Sequence, residues 1–396
     1  MTESLLISST DSNVFVIKAI ELSKQLAVDA AKRDREGGAA YEQLNLLKDS
    51  GLLKVIVSPK YGGDGQPWSV VLRIVRELAK EDASLAHLYG FHTLNILAAR
   101  WNGTEKQQEY LETGTVCHNW FWGNSVNYYD RRLTGKREGD GYRIHGEKGF
   151  SSGSPGSDRL VISWRDEADD SLLFAAIPTD KAGITVHDDW DGIGQRQTGS
   201  GTVQFNQVYI DKGELLDSKE RIHLPYATLT PILSKSVLTN VYVGSAFGAI
   251  EAAKEYTVNH TRPYIASGVD KAIEDPWIKR QYGELWIQAV AAASLTDNAI
   301  AVLDSAWNKG MSLTEQERGE AAVIVSAANV HAGNTALEVT SRIFEVMGAR
   351  SATRKNGFDR FWRNVRTHTL HDPVEYKLRS VGDWVLTGAY PSTQYS

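Results

Sequence analysis

The sequence predicts a mostly helical α+β protein in three successive parts: a helical domain over residues 1–116, a central antiparallel β-barrel or sandwich over 117–216, and a helical bundle over 217–396. Three observations carry this. Apolar residues recur every three or four positions in the first and last parts, the spacing that gathers them on one helix face. In the middle the period falls to two, in short runs of β-branched and aromatic residues bounded by Gly, Ser, Asp and Pro. No internal repeat or low-complexity linker separates the parts, so they are expected to pack as one body.

The first part holds two helical runs, VIKAIELSKQLAVDAAKRDREGG and WSVVLRIVRELAKEDASLAHLYGFHTLNILAA. Between them LLKVIVSPKYGGDGQP is read as a tight turn at Gly62, Gly63, Gly65 and Pro67 rather than a phosphate cradle, because no GxGxxG follows a strand. The strands are expected in YRIHGEKGF, RLVISWR, LLFAAIP, GITVHDDW and GTVQFNQVYI. In the last part Val237, Val241, Gly244 and Gly248 form one row, whose small residues let a second helix approach closely. A long helix is expected over about 276–308, and another from Thr314 to Met347, where Thr314 and Glu317 make a capping box.

With 396 residues and 42% hydrophobic content the chain can bury a large core. Its net charge of −6 opposes wholesale binding to nucleic acid or an anionic membrane, since both need a dense field of Lys and Arg. The single cysteine, Cys117, excludes an internal disulfide and a zinc–thiolate cluster and points to a reducing compartment. The opening MTESLLISSTDSN lacks a basic region followed by an apolar run, and nowhere do 18 apolar residues follow one another. Neither signal peptide nor membrane span is expected, and the cytoplasm is the expected location.

Four stretches could carry chemistry. Residues 350–366 hold Arg350, Arg354, Lys355, Arg360, Arg363 and Arg366 against one acid, Asp359, and read either as an anion site or as a solvated or subunit-facing helix. FSSGSPGSD, 150–158, is a turn that could offer N–H groups and hydroxyls to a ligand, or a plain hairpin loop. HNWFWGN reads as a strand with one aromatic face buried, or as an aromatic wall for a planar ligand with Asn124 bonding its edge. In RNVRTHTLHDP, His368 and His371 share a helix face but lack a third ligand, so no metal is expected. Asp372, Pro373 and Glu375 suit the N-cap, N1 and N3 positions of a following helix. That leaves His371 at the joint, in a titration range suited to proton handling.

Several of these stretches coincide with one family. GLLKVIVSPKYGGDG, IGQRQTGSGTVQFNQVYI and FEVMGAR resemble, in order, the helical-domain, β-domain and C-terminal signatures of the acyl-CoA dehydrogenases. The dehydrogenases commonly use a glutamate base just before the last helix. Here a gapless reading puts Asp372, after His371, at that place, so desaturation loses its expected base. GFDRFWRNVRTHTLHDP, SLAHLYGFH, WGN, SSGSPGSD, DDWDGIGQRQTGSG and YTVNHTRP instead resemble the flavin-dependent monooxygenase branch.

That resemblance implies a two-component enzyme. Reduced FMN from a separate NAD(P)H:flavin reductase would react with O2 to give a flavin hydroperoxide, which oxygenates a small aromatic or organosulfur substrate, for example a sulfide or a dibenzothiophene-like ring. It implies Asn124, Ser152 and His371 around the flavin ring, His87 in the same cavity, and Phe150 beside the cofactor. It also implies Arg262 and Arg350 as phosphate partners, one from a neighbouring subunit of a homotetramer, and a substrate pocket with Phe91 and Trp122. At Phe91 the dibenzothiophene-oxidising members lead one to expect tyrosine, and the missing hydroxyl removes a hydrogen bond. The competing readings are an FAD-dependent acyl-CoA dehydrogenase and a flavin-free binding or assembly protein on the same fold.

Overall fold

The computed structural model describes residues 12–218 and 220–393; most of the opening stretch searched for a leader lies outside them. The first helical run breaks in two, α1 (Val14–Ala27) and α2 (Ala30–Glu36), followed by α3 (Tyr41–Asp49). The Gly-rich stretch is the expected turn, and its amides are satisfied within it: Gly63 and Gly65 donate to the carbonyls of Ser58 and Val57. No phosphate cradle is left there. The second run is divided into α4 (Trp68–Ala79), α5 (Ala83–Ile96) and α6 (Ala98–Asn102). Asp82 makes the first break by capping α5 through the Leu85 N–H at 3.0 Å. Helix α7 (Glu105–His118) opens with a Thr104/Gln107 capping box. It ends two residues beyond the expected boundary, with Asn119 left-handed at φ 52°, so His118 is helical and the strand begins only at Trp122.

The strands β1 (Trp122–Ser125), β2 (Thr134–Glu138), β3 (Gly141–Lys148), β4 (Arg159–Asp166), β5 (Leu172–Pro178), β6 (Ile184–Val186) and β7 (Val203–Ile210) form one curled sheet, ordered β1-β4-β2-β3-β7-β6 with β5 paired to β4. It is neither a two-sheet sandwich nor wholly antiparallel, since β1 and β2 both run parallel to β4. Leu160, Ile162 and Trp164 of β4 fill the inside of the curl with Ile144, Phe205 and Val208. Val161, Trp122 of β1 and Ala176 of β5 belong to the core of the N-terminal helices. RLVISWR is apolar on both sides because both its faces are covered.

The chain then forms α8 (Thr230–Asn259), α9 (Pro276–Asn308), α10 (Glu315–Met347), α11 (Asp359–Thr369) and α12 (Val374–Thr387). The Thr314/Glu317 capping box starts α10 as the sequence predicts. Length and composition alone would let α9 cross a bilayer, but Ala289, Ala292, Ala293 and Thr296 pack it against α8 and α10. The glycine row on α8 has the predicted use. A Cβ on Gly244 would lie 2.3 Å from the Arg76 carbonyl oxygen, and one on Gly248 would lie 1.8 Å from that of Lys80, so α4 crosses α8 at backbone contact. About two turns before Gly244, Val237 fills the space left by Gly90 of α5.

Alanine normally favours a helix over glycine by about 1 kcal/mol. At Gly248 the crossing reverses the sign: Gly248→Ala is expected to destabilise the protein by about 3 kcal/mol, read as a lower urea midpoint. A midpoint raised by the substitution would mean that α4 and α8 are not in backbone contact.

Candidate active site

The three parts meet at the loop between β6 and β7, and charged residues of α2 and α11 hold it there. Arg33 of α2 is buried and donates to Asp29 and Asp82, each at 2.6 Å, and to the Gln197 side chain. Asp34 accepts from Arg363 of α11 through its carboxylate, and from Arg196 through its carbonyl at 2.6 Å. The Asn364 side chain accepts the Gln195 N–H at 2.6 Å. Of the two readings of 350–366, the structure opposes one open anion site at Arg360 and Arg363. Arg363 is paired with Asp34 and Asp359, and Arg360 lies buried over the Phe361 ring, within the fields of Glu81, Asp34 and Asp82.

The held loop orders a line of hydroxyls: Ser152 meets Ser200 at 2.7 Å, Ser200 meets Thr198 at 2.5 Å, and Thr198 donates to the Gln195 carbonyl at 2.9 Å. FSSGSPGSD is not a hairpin loop. Strand β3 pairs with β2 and β7, and β4 with β1, β2 and β5, so the segment crosses the sheet. Its Ser152 carbonyl accepts the Asn124 N–H at 3.1 Å, and among the described residues the buried Asn124 carboxamide has no hydrogen bond. Phe150, at φ 55° and 65% exposed, stands edge-on to Trp190 at 5.8 Å. These two rings, with Asn127, Tyr129, Ser200 and Thr202, line an open cleft of about 420 Å³. Lys148 was not singled out in the sequence, yet it fixes the cleft's rim by donating to the carbonyls of Asn127 and Asp130 at 2.7 and 2.6 Å. Burial lowers its pKa to about 8.

Behind the loop lie the histidines. His87 and Phe91 stand one turn apart on α5, and the His87 ring lies between Phe91 at 4.3 Å and His368 of α11 at 4.7 Å. Among the described residues neither nitrogen of His87, nor Nδ1 of His368, has a hydrogen-bond partner. Burial, with a smaller contribution from the charge of His371, lowers the His87 pKa to about 3. Burial also holds His368 well below its usual range, so both rings are neutral. His368 entered the sequence reading only as half of a metal pair. Its spacing of three from His371 was the available signal, although α11 ends at Thr369 and only His368 is helical.

His371 is half-exposed, with Nδ1 3.3 Å from Asp372 Oδ1. The expected cap is displaced by one residue: Pro373 occupies the N-cap of α12, with no side-chain cap. The Asp372 carboxylate faces His371, Lys377 and Lys235 instead. Burial opposes its ionisation, but these partners prevail and lower its pKa to about 2. Trp122 is core rather than pocket wall, because its indole N–H donates to Thr115 at 2.9 Å and it is 1% exposed. The nearby His92 is structural, joining the Leu53 carbonyl at 2.9 Å to the Trp122 N–H at 3.1 Å.

Arg262 and Arg350 lie elsewhere. Arg350 donates to the His260 carbonyl and Thr261 to that of Met347, so the two arginines are neighbours on loops beyond the end of α8. Thr369, next to His368, lies at Gly333 opposite Tyr242, and from Tyr242 to the end of α8 the helix advances about 25 Å.

Family models match in chain order: the acyl-CoA dehydrogenase N-terminal domain over residues 21–114, the middle domain over 129–208 and the C-terminal domain over 236–376. The chain is 39% identical to the Pseudomonas putida protein named Probable FMNH2-dependent monooxygenase SfnC, over 95% of this chain and 96% of that one. It is 40% identical to dibenzothiophene monooxygenase of Rhodococcus erythropolis, over 93% and 92%. The solved structure of methanesulfinate monooxygenase MsuC from Pseudomonas fluorescens superposes with a TM-score of 0.93 at 41% identity, covering 96% of this chain and 99% of that one.

The depressed His87 pKa sets a pH dependence. The unfolded chain binds a proton below about pH 6.5, whereas the folded one does so only near 3, so the stability is complete above 6.5 and is lost as the pH falls between them. By pH 5 this group alone is expected to remove about 2 kcal/mol. Unfolding midpoints at pH 7.5 and 5.0 should therefore lie closer together in His87→Phe than in the unmodified protein; an unchanged gap would mean that the ring is not kept neutral.

Proposed function

Because the chain belongs to the acyl-CoA dehydrogenase family, within its branch of FMNH2-dependent monooxygenases, we propose that it oxygenates a small organosulfur or aromatic compound. Reduced FMN, supplied by a separate NAD(P)H:flavin reductase, would provide the two electrons that split O2, one oxygen atom going to a soft centre such as sulfur and the other leaving as water. The observation that carries this reading is the set of buried nitrogens without partners among the described residues, both of His87 and Nδ1 of His368, together with the buried Asn124.

These residues suit a flavin. Asn124 and the Ser152 hydroxyl offer neutral hydrogen bonds to the polar edge of a ring, and Phe150 offers an aromatic face. His87 and Phe91 turn an apolar wall with neutral nitrogens toward the substrate, which keeps water out and leaves donors or acceptors only at chosen atoms. His371 holds or supplies a proton at its edge. The dehydrogenase reading loses its expected base, since Asp372 is engaged by His371 and lysines.

Arg262 and Arg350 suit the phosphate of FMN, but of a different copy's flavin. The stretch of about 25 Å along α8 is too long for one FMN to span from the histidines to these arginines. A homotetramer would bring them together. The exposed Trp277 and Ile287 of α9 and the exposed Tyr376, Val385 and Leu386 of α12 are the apolar surfaces such an assembly would cover.

Incubation with a flavin reductase, NADH, FMN and 18O2 should place one labelled oxygen atom per turnover on a thioether or thiophene, within a panel that also includes indole and amines. No labelled product, with oxidation of acyl-CoA instead, would overturn the oxygenase reading. Separately, Arg350→Ala should mainly weaken FMN binding and His371→Ala should lower product yield. If each site draws on two copies, a random mixture of these two impaired subunits has about a quarter of its sites intact and exceeds either variant alone. A mixture as inactive as its components would return both residues to one chain's site.

A further inference from the structure

We propose that Asp372 is a positioning residue: it holds the His371 imidazole by Nδ1, fixes the tautomer protonated there, and leaves Nε2 as the nitrogen that serves the ligand. The inference rests on the reading of His371 as a site residue given above. Its basis is the geometry of the joint between α11 and α12. The His371 N–H donates to the His368 carbonyl at 3.0 Å, which fixes its backbone at the end of α11. Pro373 restricts Asp372 to extended conformations. The two side chains are thereby brought together, with Nδ1 3.3 Å from Oδ1.

The helix cap expected of this carboxylate is not made. Pro373 takes the N-cap of α12, and no side chain bonds the first turn. From within α12 the largely buried Lys377 reaches back to the Asp372 carbonyl at 3.3 Å. From α8 the buried Lys235 adds positive charge, and both ammonium groups favour the ionised acid. An ionised carboxylate only accepts hydrogen bonds, so its charge beside Nδ1 favours the tautomer that carries the hydrogen there. A neutral His371 then accepts at Nε2 and a protonated one donates there. The choice of atom no longer depends on the ligand. A carboxylate that selects a histidine tautomer without itself moving a proton is a known route to large rate effects.

The test uses 15N spectra of the ligand-free protein labelled at histidine, with the His371 signals identified by their loss in His371→Ala. The unmodified protein should be protonated at Nδ1. Asp372→Asn, which keeps the size and removes the charge, should give a mixture of tautomers, and Asp372→Glu should retain the Nδ1 form. With flavin reductase and substrate, product formed per reduced FMN consumed should fall about tenfold in Asp372→Asn and recover in Asp372→Glu, while FMN affinity stays within about twofold. An unchanged tautomer in Asp372→Asn would overturn the proposal. A changed tautomer upholds the hold on the ring even if His371→Ala leaves product yield untouched; that second result would remove His371 from the site instead.

Discussion

The grip of α2 and α11 on the β6–β7 loop is the constraint on which the site depends. Arg33 is 6% exposed and faces Asp82, also buried, so neither charge can be returned to water if its partner is lost. Breaking a buried pair of this kind costs about 3–5 kcal/mol, whereas exposed pairs such as Arg131–Asp170 contribute about 1 kcal/mol or less. The consequence is geometric as much as energetic. Gln195 and Gln197 belong to the same loop as Thr198 and Ser200, so the ion pairs that join the three parts also set the hydroxyl line that reaches Ser152. A binding group on a loop is accurate only when its supports are fixed, and here the supports are buried and come from residues far apart in the chain.

The histidine stack answers the opposite need. A polar cavity would fill with water, which competes for every hydrogen bond of a bound ligand. Two imidazoles kept neutral by burial present polar atoms without a net charge, and their flat faces are covered by Phe91 and by each other. Phenylalanine at position 91 extends this economy of polar groups, since a tyrosine hydroxyl would have added one more donor to satisfy. If this wall faces the substrate as proposed, it would favour flat or soft uncharged groups over strongly hydrated anions.

What was legible in the sequence was what short-range chemistry decides. The Thr314/Glu317 box, the glycine row of α8 and the turn at Gly62–Gly65 each follow from residues within a few positions of one another. The break at Asp82 was missed because the apolar period continues across it, and the reason for the break is an aspartate whose second partner, Arg33, lies 49 positions away. Arg363 looked like part of an open anion field for the same reason, its acid being Asp34 in the first helical segment. At the site, spacing alone brought His368 and His371 to notice but not the stacking of His368 on His87, which requires α5 and α11 to be packed side by side. Trp122 and Asp372 failed differently. Each had two chemically reasonable uses, and only the three-dimensional neighbours, Thr115 in one case and His371 with two lysines in the other, select between them.

The glycine row of α8 also bears on why the basic pair stands so far from the histidines. Contact at Gly244 and Gly248 locks α4 against α8, and Val237 at Gly90 does the same for α5, so the site end of α8 cannot slide along the N-terminal helices. Its other end is tied by Thr261 to Met347 and by Arg350 to His260, which fixes the loops of Arg262 and Arg350 to α10. A helix anchored at both ends is a rigid spacer, and no loop movement within one chain can close a gap of about 25 Å along it. If both groups serve one small ligand, as proposed above, they can meet only across a symmetry axis, and assembly of the subunits would then be a part of building the binding site.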